Sequence, residues 1–153
     1  MIRYFTEDTS FRLKEKRLIA KWLKEVAAGR GRALGEMNYI FCSDAYLLQI
    51  NRQFLGHDFY TDIITFDNSE DFELETGRPG VSADIYISID TVRANGAVYG
   101  EGFTRELHRV IVHGLLHLVG YDDRDPWHQQ RMRVAENRAL KLLDEMRKEA
   151  DGR

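Results

Sequence analysis

Two histidines four positions apart carry the clearest chemistry in this sequence. His113 and His117 lie in a segment, residues 105–119, where leucine, isoleucine and valine recur at helical intervals. On an α-helix, side chains four positions apart lie one above the other on the same face. The spacing therefore predicts that both imidazole rings point at one place, where they could bind a single metal ion.

The turn that follows this helix can supply a third donor. Gly120 comes directly after the last apolar pair, and glycine favours the left-handed backbone that ends a helix. In the zinc protease motif H-E-x-x-H-x-x-G-x-x-H the donors stand at offsets 0, 4 and 10 and glycine at 7. His113, His117 and Asp123 occupy the donor offsets here. Two nitrogens and a carboxylate oxygen suit zinc and leave a coordination position open for water, so we predict a catalytic site for one Zn²⁺ ion per chain.

Several alternatives to this interpretation are open. Asp122 and Asp125 are close to Asp123 in the sequence and could supply the carboxylate instead. A histidine on an apolar helix can also simply be packed in the core. The protease motif needs glutamate beside the first histidine as its general base, and this chain has Gly114 there. A peptidase would therefore lack its base.

Length and composition predict one globular domain over residues 1–153. The chain is 43% hydrophobic and 31% charged, enough for one core but not for two comfortable domains. No apolar run approaches the roughly 20 residues of a membrane span, and no export signal is recognisable, so we expect a cytoplasmic protein with no membrane partner. Cys42, the only cysteine, predicts a buried thiol in a reducing compartment. The net charge of -3 gives no general attraction to nucleic acid, so RNA binding would need a local site.

Hydrophobic periodicity predicts an α/β or α+β fold, with a single mixed sheet of about four strands covered by helices. The metal site would lie at the end of a central helix. Strands are predicted at residues 2–6, 37–42, 61–67 and 82–89, and helices at residues 11–28, 45–54, 90–99, 104–119 and 126–148. The third strand has β-branched residues on both faces and is expected to be buried between layers. The acidic stretch 68–81 is expected to be a hairpin-like loop.

Three segments resemble the YbeY family, the single-strand-specific metallo-endoribonucleases of ribosomal RNA maturation. The family motif H-G-x-L-H-L-x-G-Y-D-H is matched from His113 to Asp122, and Asp123 stands where most members have histidine. The family segment P-T-D-V-L-S-F is similar to residues 60–66, and the family strand G-D-I is similar to residues 83–85. Together these segments span about half of the chain.

The resemblance implies an α/β fold with a zinc site in a cleft, held by His113, His117 and Asp123. It also implies a cytoplasmic enzyme that hydrolyses single-stranded RNA in 16S rRNA 3′-end maturation and ribosome quality control, with the small ribosomal subunit as partner. Two positions depart from the family pattern. Asp123 makes the site more anionic, and Leu55 stands where the family usually has a functional arginine.

The proton-transfer residue and the nucleophile are left open by the sequence. Either a metal-activated water or the RNA 2′-hydroxyl could attack phosphorus. Arg105 and Arg109 are candidates for positive contacts with the substrate, as are Arg52 and His57.

Two more aspartates and two more functions are kept as alternatives. Asp62 and Asp84 could orient an imidazole or could cap strand ends. The chain could be a metal-containing ribosome assembly or binding factor without nuclease activity, or, with less support, a zinc peptidase.

Overall fold

Four strands form one mixed sheet in the structure, a computed structural model that describes residues 1–152. Arg153, the last residue of the predicted domain, lies outside the described residues. The strands are β1 (Ile2–Thr6), β2 (Leu34–Cys42), β3 (Ile63–Asp67) and β4 (Val81–Ser88), in the spatial order β1-β2-β4-β3. β1, β2 and β4 run parallel, and β3 runs antiparallel to β4. The predicted single mixed sheet of four strands is confirmed.

Helices connect and cover the strands. They are α1 (Lys16–Ala28), α2 (Asp44–Ile50), α3 (Ser69–Thr76), α4 (Ile89–Val98), α5 (Phe103–Leu118) and α6 (Pro126–Asp151). A π-helical turn, Asn51–Leu55, continues α2 and ends at Gly56. None of the helices in the described chain is both long and apolar enough to cross a lipid bilayer.

Helix α5 is the central helix, and apolar residues on several of its faces are buried. Ile111 and Leu115 are fully buried in the main core, which also takes in β2, β4, α1 and α6. The Ile111 carbonyl accepts a hydrogen bond of 3.0 Å from the Tyr39 hydroxyl, which ties α5 to β2. The Trp22 indole N–H donates to the Ala139 carbonyl at 2.7 Å and ties α1 to α6. The end of α5 that carries the histidines is therefore held on a rigid support.

The predicted start of the first helix is wrong by five residues. Residues 11–15 are not helical, because Phe11 packs edge-on against Phe41 and Phe103, with ring centroids 5.1 and 5.9 Å away. Leu13 is also buried, and Glu15 has a left-handed backbone with φ of 60° just before the helix. Core packing of this segment overrides its helical pattern.

Predictions about the third strand and its connection also need correction. β3 is an edge strand in which only Ile64 is buried, so it is not enclosed between layers. β3 and β4 do form an antiparallel pair, but α3 occupies most of the stretch predicted to be a loop. The Ser88 hydroxyl caps α4 by accepting from the Thr91 N–H, so this helix begins at Ile89, one residue before the predicted start.

Candidate active site

The C-terminal end of α5 presents His113 and His117 towards solvent. Gly120 has a positive φ of 113°. Its N–H donates to the His117 carbonyl at 3.3 Å, and the N–H of Tyr121 donates to the Leu116 carbonyl at 3.0 Å. These bonds satisfy carbonyl groups that a helix end would otherwise leave unpaired. The helix therefore ends where the sequence predicts, and the chain turns into residues 121–125.

His113 is held by a buried carboxylate from α6. Its Nδ1 atom lies 2.7 Å from Oε2 of Glu136, whose side chain is only 8% exposed. A carboxylate can only accept a hydrogen bond, so Nδ1 carries the proton and Nε2 is left as the free nitrogen. The His113 side chain is 28% exposed. This bond sets both the tautomer and the orientation that a ligating imidazole needs.

Arg109 lies behind this pair and is buried. It donates to Oε1 of Glu136 at 3.2 Å, to the side-chain oxygen of Asn137 at 2.9 Å and to Glu101 at 3.2 Å. The sequence suggested Arg109 as a contact for substrate. Its observed contacts make it a support for Glu136, and its contact with a substrate stays a prediction.

Nearby carboxylates raise the pKa of His113. Burial lowers the pKa of His113, but the hydrogen bond and charge of Glu136, together with the charges of Asp62 and Asp123, outweigh it, so the pKa is raised. Burial raises the pKa of Asp62, which the positive charge of His113 partly opposes. Asp84 is engaged elsewhere, accepting a 3.0 Å hydrogen bond from Asn38 across β2 and β4. Of the two aspartates proposed to orient an imidazole, only Asp62 acts on His113.

Sequence reasoning missed Glu136 as the group that orients His113. Glu136 belongs to the buried face of α6, with Met132, Ala135, Ala139, Leu140 and Leu143. A charged residue in an otherwise apolar helical stripe is a signal of a buried ion pair or a functional site. That signal was present in the sequence.

The turn after α5 contains three aspartates, and the structure separates their roles. The Asp125 carboxylate caps α6 by accepting from the His128 N–H at 2.8 Å. Asp122 accepts from the Arg124 N–H at 3.2 Å and faces its guanidinium at 3.4 Å. Within residues 1–152 the Asp123 carboxylate makes no hydrogen bond or salt bridge, while its backbone carbonyl is held by Gln129 at 3.0 Å. Asp123 is therefore the carboxylate of the three that is available to a ligand.

The donor set fits zinc in its chemistry. As the side chains stand, no three His, Cys, Asp or Glu residues in the described chain are gathered closely enough to hold a metal ion. The hydrogen bond from His113 to Glu136 is nevertheless the outer contact that zinc-binding histidines usually make. Coordination by His113, His117 and Asp123 stays a prediction.

Gly114 faces the sheet at the point of closest approach. A Cβ atom at this position would lie 3.1 Å from Cδ1 of Ile63 and 3.2 Å from Cδ1 of Ile85. A larger side chain here would press against the ends of these two isoleucine side chains, which would have to shift to admit it. The general base of a zinc peptidase is absent from this position, which argues against the peptidase alternative.

The remaining cations proposed from the sequence have protein partners. Arg105 forms hydrogen bonds of 3.0 and 3.1 Å with the Asp144 carboxylate on α6. Arg52 pairs with Asp58 on the surface. His57 stacks on a neighbouring aromatic ring in the loop before β3. Their contacts with a substrate stay predictions.

Fold and site together define a class of protein. It is an α+β domain whose central helix ends in a solvent-facing group of histidines and carboxylates, an arrangement suited to hydrolytic chemistry. Comparison with known proteins then gives the family. The family model described as endoribonuclease YbeY matches residues 2–144. The chain belongs to the YbeY family of endoribonucleases.

Individual relatives agree with this assignment over nearly their whole length. The chain is 48% identical to the endoribonuclease YbeY of Phocaeicola vulgatus, covering 94% of this chain and 99% of the relative. It is 47% identical to that of Cytophaga hutchinsonii, covering 92% and 94%. The solution structure of TM1509 from Thermotoga maritima is similar in fold, with a TM-score of 0.63 and 25% identity over 94% of this chain and 89% of that one.

Proposed function

We propose that this chain is a single-strand-specific, zinc-dependent endoribonuclease that acts in the cytoplasm, in 16S rRNA 3′-end maturation and ribosome quality control. The observation that carries the proposal is the His113–Glu136 hydrogen bond at the end of α5. It leaves Nε2 of His113 free to bind a metal ion, in a chain whose relatives are named endoribonucleases.

His113, His117 and Asp123 would hold the metal ion. When bound, zinc would polarise a phosphoryl oxygen of RNA and lower the pKa of a coordinated water. Glu136 keeps the proton on Nδ1 of His113, and Arg109 keeps Glu136 in place. The charge of Asp62 also contributes to raising the pKa of His113.

Water is the proposed nucleophile, because two histidines and one carboxylate leave a coordination position open. Hydrolysis then breaks the bond between phosphorus and the 3′-oxygen and leaves a 5′-phosphate and a 3′-hydroxyl. Attack by the RNA 2′-hydroxyl would instead leave a 2′,3′-cyclic phosphate and a 5′-hydroxyl. Analysis of the product ends distinguishes the two reactions.

The test is cleavage of single-stranded RNA by purified protein. We expect cleavage that a chelator abolishes, that added zinc restores and that His117→Ala removes, with duplex RNA of the same sequence cut far more slowly. The His117→Ala protein, purified identically, controls for contaminating ribonuclease. Casein is the control substrate for a peptidase, and we expect no cleavage.

Binding of ribosomal RNA without any cleavage would overturn the proposal and favour the assembly factor without nuclease activity. The cellular role is tested separately. Cells that lack the protein should accumulate 16S rRNA with an unprocessed 3′ end. Wild-type protein should restore processing and the His117→Ala protein should not.

A further inference from the structure

Exposed aromatic side chains are concentrated on the loop that leads into the candidate site. Phe54, Phe59 and Tyr60 are 60%, 56% and 64% exposed. His57 lies nearly parallel to Phe59, with ring centroids 5.1 Å apart and an angle of 20° between the planes. Singly exposed apolar residues are ordinary, but several within seven residues indicate a binding surface. We call residues 54–60 the aromatic loop.

The aromatic loop is held in place by a buried residue. Asn51 is almost fully buried, and its side-chain amide donates to the Phe59 carbonyl at 2.8 Å. The backbone carbonyl of Asn51 accepts from the His57 N–H at 3.2 Å. Gly56 supplies the positive φ, 66°, that the turn requires. The rings are therefore presented to solvent before any ligand arrives, which reduces the entropy lost on binding.

The aromatic loop is continuous with the candidate active site. It ends at Tyr60, three positions before Ile63, and Cδ1 of Ile63 lies 3.1 Å from the place that a Cβ atom on Gly114, the residue after His113, would occupy. The Asp62 carbonyl accepts from the Ser88 N–H at 2.9 Å, which fixes the end of the loop to β4. Nucleotides that flank a phosphate at His113 would therefore lie close to these rings.

We infer that the aromatic loop binds unpaired RNA bases by stacking, next to the site of cleavage. The inference deepens the proposed function and rests on RNA being the substrate. Aromatic rings stack with bases that are splayed out of a helix, independently of base identity. Arg52, just before the loop, is paired with Asp58 within it, and the inference rests on ring contact alone. Duplex RNA hides its base faces and cannot bind in this way.

The test compares RNA binding by Phe59→Ala and Tyr60→Ala with the wild type, in chelator so that no RNA is cut. The control is Tyr99→Ala, which removes an exposed aromatic ring at the C-terminal end of α4, outside the aromatic loop. Stacking predicts that each loop variant binds a single-stranded oligonucleotide about 5- to 140-fold more weakly, whereas the control binds normally. Phe59→Trp should bind the oligonucleotide with an affinity close to that of the wild type, because tryptophan also offers a ring face.

A second change, made in the RNA, separates stacking from general loss of the surface. A set of oligonucleotides carries one abasic nucleotide each, at successive positions. At the position that contacts Phe59, the missing base should weaken RNA binding by the wild type but should cause no further loss of affinity in Phe59→Ala. Because the lost contact is uncharged, the fold-loss caused by Phe59→Ala should change little with salt concentration.

Two results would overturn the inference. In one, both loop variants bind RNA with the affinity of the wild type. This result would count against the inference even if the variants had lost binding to a ribosomal protein. The other is absence of any RNA binding by the wild type. Failure of the nuclease proposal looks different: the wild type cuts no RNA with zinc added, while the difference in binding between wild type and loop variants persists.

Discussion

Glu136→Gln is the most direct test of how the site is organised. The change keeps the size of the side chain and removes the negative charge of the carboxylate. That carboxylate accepts hydrogen bonds from Nδ1 of His113 at 2.7 Å and from Arg109 at 3.2 Å. Loss of an outer contact of this kind typically reduces metal affinity 10- to 100-fold, or by about 1.4 to 2.7 kcal/mol. A hydrogen bond to a charged group contributes roughly 1.5 to 3 kcal/mol to folding, so we expect stability to fall by a similar amount.

The same variant should change the pKa of His113 in the metal-free protein. Burial lowers this pKa and Glu136 is the main group that raises it, so removing the negative charge leaves burial dominant. We therefore expect the pKa of His113 to fall in Glu136→Gln. Nitrogen-15 NMR titration measures the pKa and the tautomer, and competition with a chromophoric chelator measures zinc affinity.

The matched control is Glu101→Gln, which removes the other carboxylate bound to Arg109 without touching His113. It should leave the pKa of His113 and the zinc affinity close to those of the wild type. The reasoning is refuted if Glu136→Gln is folded, as judged by its melting temperature, and yet retains the wild-type pKa of His113 and the wild-type zinc affinity.

Three further predictions test other parts of the structure. Asp123→Ala should reduce zinc occupancy in elemental analysis, whereas Asp122→Ala should not; equal occupancy in both would exclude Asp123 as a ligand. Gly114→Ala should lower stability in urea by about 1 kcal/mol, because the cost of pressing its methyl group against the sheet, roughly 1 to 3 kcal/mol, exceeds the gain of about 1 kcal/mol from replacing glycine within a helix. An unchanged urea midpoint would contradict that packing. Burial, followed by the charge of Arg147, lowers the pKa of His108 to about 4. The unfolded chain, with a pKa near 6.5, therefore binds more protons between these values, and stability should fall as pH falls through this window, by roughly 3 kcal/mol in total. His108→Phe should lose this part of the pH dependence in urea unfolding at about pH 7 and about pH 4.5; a pH dependence equal to that of the wild type would show that His108 is not its source.

Features that depend on residues close together in the sequence were predictable. The spacing of His113 and His117 and the helix end at Gly120 follow from local backbone geometry, and the structure has the helix and its end where they were expected. The errors arose where distant residues decide local structure. Phe11 leaves its helical pattern to pack against Phe41, and nothing in the strand pattern of residues 61–67 shows that β3 lies at the sheet edge.

The sequence by itself determined the candidate donors, because side chains on one helix face and in the next turn keep their relation in any fold that contains that helix. Only the tertiary structure decided what supports them. Glu136 is 23 positions from His113, and no local periodicity brings α6 against α5. The sequence shows that a peptidase base is missing at Gly114, and only the structure shows that this position lies against the Ile63 and Ile85 side chains of β3 and β4.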